Sequence, residues 1–314
     1  MSNIERKEKF QDPLVTINGE PRAHVDLKGL KTLWFNTGTI CNLTCANCYI
    51  ESSPTNDRLV YISHQEVCQF LDEIKRDNLP TTEIGLTGGE PFINPDIIAI
   101  SKECLEREFS LLILTNAMRP MIKRQRELLE LKEKFGNQLK LRVSVDHFSQ
   151  KLHEEERGLK SWQPMLLGLK WLSDNGFTID AAGRTRWGES EKELRAGYTK
   201  LFKDQNININ ATDPGQLVLF PEMDENAPVP EISTGCWEKV GVSPDNMMCA
   251  SSRMVVKSKG SKRPHVQACT LLAYQHEFNL GDTLEAANRS VSLNHPHCAK
   301  FCVLGGGSCS VALY

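Results

Sequence analysis

Three of the eleven cysteines stand within eight residues, at Cys41, Cys45 and Cys48. Six more crowd the last third of the chain, at Cys236, Cys249, Cys269, Cys298, Cys302 and Cys309. Stable disulfides are rare in a reducing compartment, so two such groups point to metal or iron–sulfur chemistry first. Three thiolates on one short loop can grip three irons of a 4Fe–4S cube and leave the fourth iron open to another ligand. An open coordination position is what separates a catalytic metal from a structural one. A three-cysteine zinc site completed by a distant residue, or buried free thiols, are the competing readings. On the triplet alone, iron–sulfur ranks ahead of zinc. Cys68 and Cys104 fall on helical patterns and read as small buried hydrophobes.

These thiols need a frame. The 314 residues are 40% hydrophobic and 25% charged, enough for one large α/β domain with an appendage. Thirty-seven Lys+Arg against 40 Asp+Glu leave a net charge of -3, which argues against nucleic-acid binding through phosphate neutralisation. No apolar run reaches membrane-spanning length and the charged N-terminus lacks a signal-peptide core, so the chain reads as cytoplasmic with no membrane partner. Residues 1–30 are polar and turn-rich and read as an extension. From Lys31 short apolar runs alternate with amphipathic stretches. Strands are expected at Thr32–Thr37, Glu83–Thr87, Leu111–Thr115, Leu139–Val145 and Phe177–Ala182, with a weaker sixth at Ile207–Asn210. Ser63–Glu66 and Ser190–Glu193 are capping boxes that open helices, and Asn94-Pro95 opens another. Six strand–helix alternations imply a parallel sheet, with ligands gathering at the carboxyl ends of its strands. After Pro230 the pattern stops and a loop-rich, cysteine-rich stretch begins.

Cys41–Cys48 directly follows the first strand. Thr87-Gly88-Gly89-Glu90-Pro91 closes the second, removing two side chains where a ligand approaches the backbone and supplying a carboxylate for an ammonium group. The two motifs, in this order on successive strand ends, resemble the radical S-adenosylmethionine (radical SAM) superfamily. The resemblance implies a partial (β/α)6 TIM-like barrel over residues 31–227, with a small cysteine-rich extension over 228–314. It implies that Cys41, Cys45 and Cys48 hold a 4Fe–4S cluster whose open iron is chelated by SAM, with Gly88, Gly89 and Glu90 at the methionyl amine. One electron then cleaves SAM to a 5′-deoxyadenosyl radical that abstracts a substrate hydrogen. An electron donor such as flavodoxin or ferredoxin belongs to that chemistry. One departure is Asn47, where the family usually carries an aromatic residue, with Tyr49 on the far side of Cys48. Asn116, Ser144 and Arg184, at the ends of later strands, are the further cofactor contacts. Asp146 is a candidate for facing the substrate. His153, Arg157-Gly158 and Trp162 resemble the same stretch in members with a SPASM or twitch extension.

The tail resembles such an extension more loosely. Cys249 and Cys269 flank a basic, glycine-bearing segment, Lys257–Arg263, read as a solvated hairpin tip, and Cys298, Cys302 and Cys309 follow. Six thiolates ligate one auxiliary 4Fe–4S cluster with two to spare, or two clusters with three each. One is the expectation, a second is completed by His295 or His297 if present, and those histidines read otherwise as solvated loop residues. A zinc knot is the alternative for this tail. The leading function is a radical SAM enzyme acting on a peptide or on a small metabolite or cofactor precursor, with the auxiliary cluster aiding substrate binding or oxidation. About 30 residues precede the first strand and five follow Cys309. That leans toward a separate recognition protein or a small-molecule substrate. Glu222 and Asp224, at the join of the two parts, are candidates with Asp146 for proton transfer. The function from another class is a non-catalytic scaffold that binds SAM and metal.

Overall fold

The computed structural model describes residues 8–222 and 228–307; Asp224 and Cys309 lie outside them. Strand β1 (His24–Val25) is followed by β2 (Thr32–Asn36), whose five residues are all buried. Helix α1 (His64–Arg76) leads to β3 (Glu83–Thr87), α2 (Ile97–Glu106) to β4 (Ser110–Thr115), and α3 (Arg119–Ile122) with α4 (Gln125–Phe135) to β5 (Leu139–Asp146). Then come α5 (Gln150–Arg157), α6 (Trp162–Asp174), β6 (Thr178–Arg184), α7 (Glu191–Asp204) and β7 (Leu217–Phe220). Both capping boxes form: Ser63 and Ser190 each accept a backbone N–H while Glu66 and Glu193 reach back. With their ends fixed, α1 buries Val67, Phe70, Leu71 and Ile74, and α7 buries Leu194, Tyr198 and Phe202. Asn94 does not cap α2. Its Oδ1 accepts from the Asp96 N–H at 2.8 Å, and the helix starts three residues further on, at Ile97.

The sheet order is β7-β6-β5-β4-β3-β2-β8-β9. Every pair from β2 to β7 is parallel, with β2 and β3 in register from Thr32↔Glu83 to Asn36↔Thr87. Their carboxyl ends therefore meet on one side, in the open architecture of a partial (β/α)6 barrel. The sixth of these strands is Leu217–Phe220, not Ile207–Asn210. Ile207 and Ile209 are buried as expected, but Asn210 accepts from the Thr212 N–H and hydroxyl and closes a turn, which competes with ladder pairing.

The cysteine-rich stretch continues this sheet. After α8 (Cys236–Val240), β8 (Ser252–Val256) runs parallel to β2, and β9 (His265–Gln267) pairs antiparallel with β8. The basic segment thus connects a hairpin, as expected, but its base is tied down: Lys257 reaches Glu66 at 2.6 Å and Lys259 reaches Asp57 at 2.6 Å. β10 (Val291–Ser292) pairs with β1, so the N-terminal extension is stitched to the tail. Buried Arg22 fastens it further, 2.5 Å from Glu231. A π-helical turn over Cys298–Leu304 carries two of the tail's thiols. Among the described residues no helix is long and apolar enough to cross a membrane.

Candidate active site

A cavity of about 660 Å³, counting its open mouth, lies at the carboxyl ends of β2 to β6. Cys41, Cys45 and Cys48 all line it, with Gly88 and Gly89 from the end of β3, Asn116 after β4, Ser144 from β5, Arg157 from α5 and Arg184 from β6. The cysteine loop is held from both sides. The Cys41 N–H donates to the Ser53 carbonyl at 3.0 Å, and the Ala46 N–H to the Glu156 carbonyl at 2.8 Å. Backbone N–H groups also face two of the sulfurs, Leu43 to Cys41 Sγ at 3.4 Å and Ser52 to Cys48 Sγ at 3.3 Å. Such donors stabilise thiolate and tune an attached cluster. Burial, with Glu90 nearby, pushes the Cys41 thiol up to about 12, so binding iron there releases a proton.

The two glycines are required by the protein's own backbone. A Cβ on Gly89 would stand 2.2 Å from the Ile40 carbonyl oxygen, and one on Gly88, at φ +140°, 2.5 Å from that of Gly38. The Gly89 N–H donates to Gly38 O at 2.8 Å and the Glu90 N–H to Ile40 O at 3.1 Å. The Gly-Gly turn is thus the surface against which the loop leading to Cys41 is laid.

Glu90 is buried and is not among the residues that line the cavity. One oxygen accepts from the Thr115 hydroxyl at 2.9 Å and the other from the Asn116 N–H at 2.8 Å. Burial raises its carboxyl to about 7 against those hydrogen bonds. It therefore positions Asn116, whose side chain donates to Asn42 Oδ1 at 3.0 Å across the cysteine loop. Glu90→Ala is expected to leave these donors without an acceptor, costing about 1–3 kcal/mol of stability. It should also weaken SAM binding about tenfold. Calorimetric titration checks this, and an unchanged affinity removes Glu90 from the site.

Asp146, expected to face the substrate, is not among the residues that line this cavity. The β5–β6 register shifts between Ser144 and Asp146, and Asp146 sits at φ 26°. The irregularity leaves Ser144 on the cavity and turns the Asp146 carboxylate to Arg157 Nε and, at 3.4 Å, Arg184 Nε. Burial works to raise its pKa, but the two guanidiniums hold it below the usual value. Asp146 thus aims the two cations that line the cavity. His153 fastens the bulge, its Nδ1 3.1 Å from Val145 O, with its ring edge-on to Trp162 at 5.3 Å. Glu222 is not among the residues that line the cavity; it lies 3.8 Å from Arg186 Nε, and its charge is felt by Arg184 on the cavity wall.

Glu156 was not foreseen. In a Glu-Glu-Glu-Arg run it reads as surface charge, yet it is buried on the inner face of α5. Its carboxylate accepts from the Asn47 N–H at 3.0 Å and Asn47 Nδ2 at 2.7 Å, and lies 3.6 Å from Arg184 and 3.3 Å from Arg186. This pairing explains Asn47: where an aromatic residue was expected, an amide satisfies a buried carboxylate and pins the loop between Cys45 and Cys48. The only sequence signal was the departure at Asn47 itself.

In the tail, Cys249, Cys269, Cys298 and Cys302 line one cavity of about 320 Å³ together with Met247, Met248 and Leu272. Burial, with Cys269 and Cys249 nearby, pushes the Cys298 thiol well up, and burial pushes Cys249 up to about 11. Cys236 lies outside this lining, with its Sγ 3.5 Å from Ser233 Oγ. His295 is half-buried and His297 buried, so neither is a freely solvated loop residue. The two rings are 4.8 Å apart, and burial lowers His295 to about 4. Neither lines the cavity.

Three thiols and a Gly-Gly turn thus meet at the carboxyl ends of a parallel sheet in an α/β partial barrel. Residues 35–183 match the radical SAM superfamily. The antilisterial bacteriocin subtilosin biosynthesis protein AlbA of Bacillus subtilis (strain 168) is 31% identical over 143 residues, 45% of this chain and 30% of AlbA. SuiB of Streptococcus suis bound to S-adenosylmethionine shares the fold, with a TM-score of 0.59 at 15% identity over 82% of this chain and 64% of SuiB. AnSMEcpe with bound AdoMet gives 0.56 at 13% identity, over 82% of this chain and 79% of that one. The match spans less than a third of AlbA and just under two thirds of SuiB.

Proposed function

We propose that this protein is a radical SAM enzyme that modifies a peptide. The observation that carries the reading is the meeting of Cys41, Cys45 and Cys48 with Gly88, Gly89, Ser144 and two arginines on one cavity. A 4Fe–4S cluster on the three thiolates, with SAM bound to it, would supply a 5′-deoxyadenosyl radical that abstracts a substrate hydrogen. The chain's own residues hold and screen that chemistry. Arg157 and Arg184 offer buried positive charge to an anionic cluster and to the SAM carboxylate, and Asp146 and Glu156 fix where those charges point. Backbone at Gly88 and Gly89 borders the cavity for the methionyl amine, and Ser144 presents a hydroxyl to the ribose or carboxylate. The likeness to AlbA, a bacteriocin biosynthesis protein, favours a peptide over a small metabolite. Single-electron reduction by a flavodoxin or ferredoxin, a cytoplasmic setting and a separate recognition protein complete the proposal.

The tail cavity suits one auxiliary 4Fe–4S cluster on Cys249, Cys269, Cys298 and Cys302, since four thiols close its ligand set and the remaining lining is apolar. Zinc accepts the same four sulfurs. Anaerobic reconstitution, iron analysis and assay of 5′-deoxyadenosine test the proposal. The expected result is about eight irons per chain and reductant-dependent cleavage. Cys298→Ala should leave about four irons with SAM binding intact. Zinc in the tail at about four irons favours the knot, and iron without SAM cleavage favours the scaffold.

A further inference from the structure

Outside the barrel mouth, His64 and Cys68 lie one helical turn apart on α1, and Glu103 faces them from α2. Their donor atoms, His64 Nε2, Cys68 Sγ and a Glu103 carboxylate oxygen, all lie within 4.8 Å of one another. Glu103 Oε2 is 3.3 Å and Cys68 Sγ 3.4 Å from the same ring nitrogen. That arrangement is wrong for a catalytic relay, in which thiol and carboxylate take opposite nitrogens of the imidazole. It is also poor hydrogen bonding, since one ring nitrogen carries at most one proton and cannot serve both partners well. It does suit a shared cation. Tetrahedral zinc with bonds of about 2.0–2.3 Å sets its ligands about 3.3–3.7 Å apart.

We propose that His64, Cys68 and Glu103 form a surface zinc site with three protein ligands and an open position for water. Mixed nitrogen, sulfur and oxygen donors suit zinc among the abundant divalent metals. The surroundings prepare the ligands. Arg107 Nε holds the other Glu103 oxygen at 2.8 Å and is itself held by Asp72 at 2.6 Å, which leaves Oε2 for the metal. The His64 N–H donates to Asp96 Oδ2 at 2.9 Å, which ties the first residue of α1 to the start of α2. The side chains of His64 and Glu103 are 39% and 26% exposed, so the metal has an entry path. The expectation of a core role holds for Cys104, which is fully buried, but not for the half-buried Cys68.

The test uses the full chain with its iron–sulfur sites reconstituted, equilibrated anaerobically with zinc chloride and then passed through a weak chelator. Zinc and iron are counted, and the zinc environment is read by X-ray absorption. The expected result is about one retained zinc with a single sulfur neighbour at about 2.3 Å. Zinc should fall at least about tenfold in Cys68→Ser and in His64→Ala, with iron content unchanged as the folding control. Glu103→Gln gives a third, independent arm. Zinc that is absent from the unsubstituted protein, equal in all variants, or surrounded by several sulfurs overturns the site.

Discussion

Replacing Cys41, Cys45 and Cys48 together by Ala is expected to abolish 5′-deoxyadenosine formation while leaving about four irons per chain, those of the tail. The two halves of that result follow from separate geometry. The three thiols line one cavity, and among the described residues no other cysteine does. The four tail thiols meet in a second, apolar cavity. Ser53 and Glu156 hold the loop's backbone, although the Leu43 and Ser52 N–H groups lose their sulfur acceptors. The variant should therefore stay folded in the metal-free state with a slightly lower thermal midpoint, and iron analysis with chromatography of the nucleoside product reads the rest. Cleavage that survives the triple change would remove the assignment.

Asp146→Asn is expected to lower stability by about 3–5 kcal/mol, because it removes the anion shared by two buried guanidiniums at almost no change in volume. Affinity for SAM should fall more than about tenfold as Arg157 and Arg184 lose their aim. The pH dependence has a definite sign. The folded carboxyl titrates below its unfolded value, so its contribution is complete above pH of about 4 and is lost as pH falls through the folded pKa. Denaturant midpoints of the two proteins should differ at neutral pH and converge in acid. A carboxylate acting on substrate protons would give another pattern, a slower turnover with stability and SAM affinity intact. Paired unfolding and binding measurements separate the two.

The difference between those outcomes marks where sequence reading stopped. The spacing of Cys41, Cys45 and Cys48, the Gly-Gly turn and both capping boxes are local, since each is decided by residues within one turn or loop. Strand and helix periodicity likewise predicted five of the six barrel strands and their parallel arrangement. The sixth failed because side-chain turn bonding at Asn210 outweighed a weak apolar alternation. Asp146 looked like a strand-end acid until a register shift in β5 turned it onto two arginines. The Glu90 motif was legible, but its bonds to Thr115 and Asn116 on the next strand end were not.

By itself, the sequence determined the kind of chemistry, three thiolates on a strand-end loop, because ligand type and short spacing survive without knowledge of the rest of the fold. Only the tertiary structure brings four of the described tail thiols together. Cys249, Cys269, Cys298 and Cys302 come from separate segments brought to one cavity, whereas Cys236 is left outside it. It also decided that Glu156 is an internal anchor for Asn47 and that His64, Cys68 and Glu103 share a point in space. Such groupings depend on pairing β8 with β2 and on packing α2 against α1, contacts between residues far apart in the chain that no periodicity encodes.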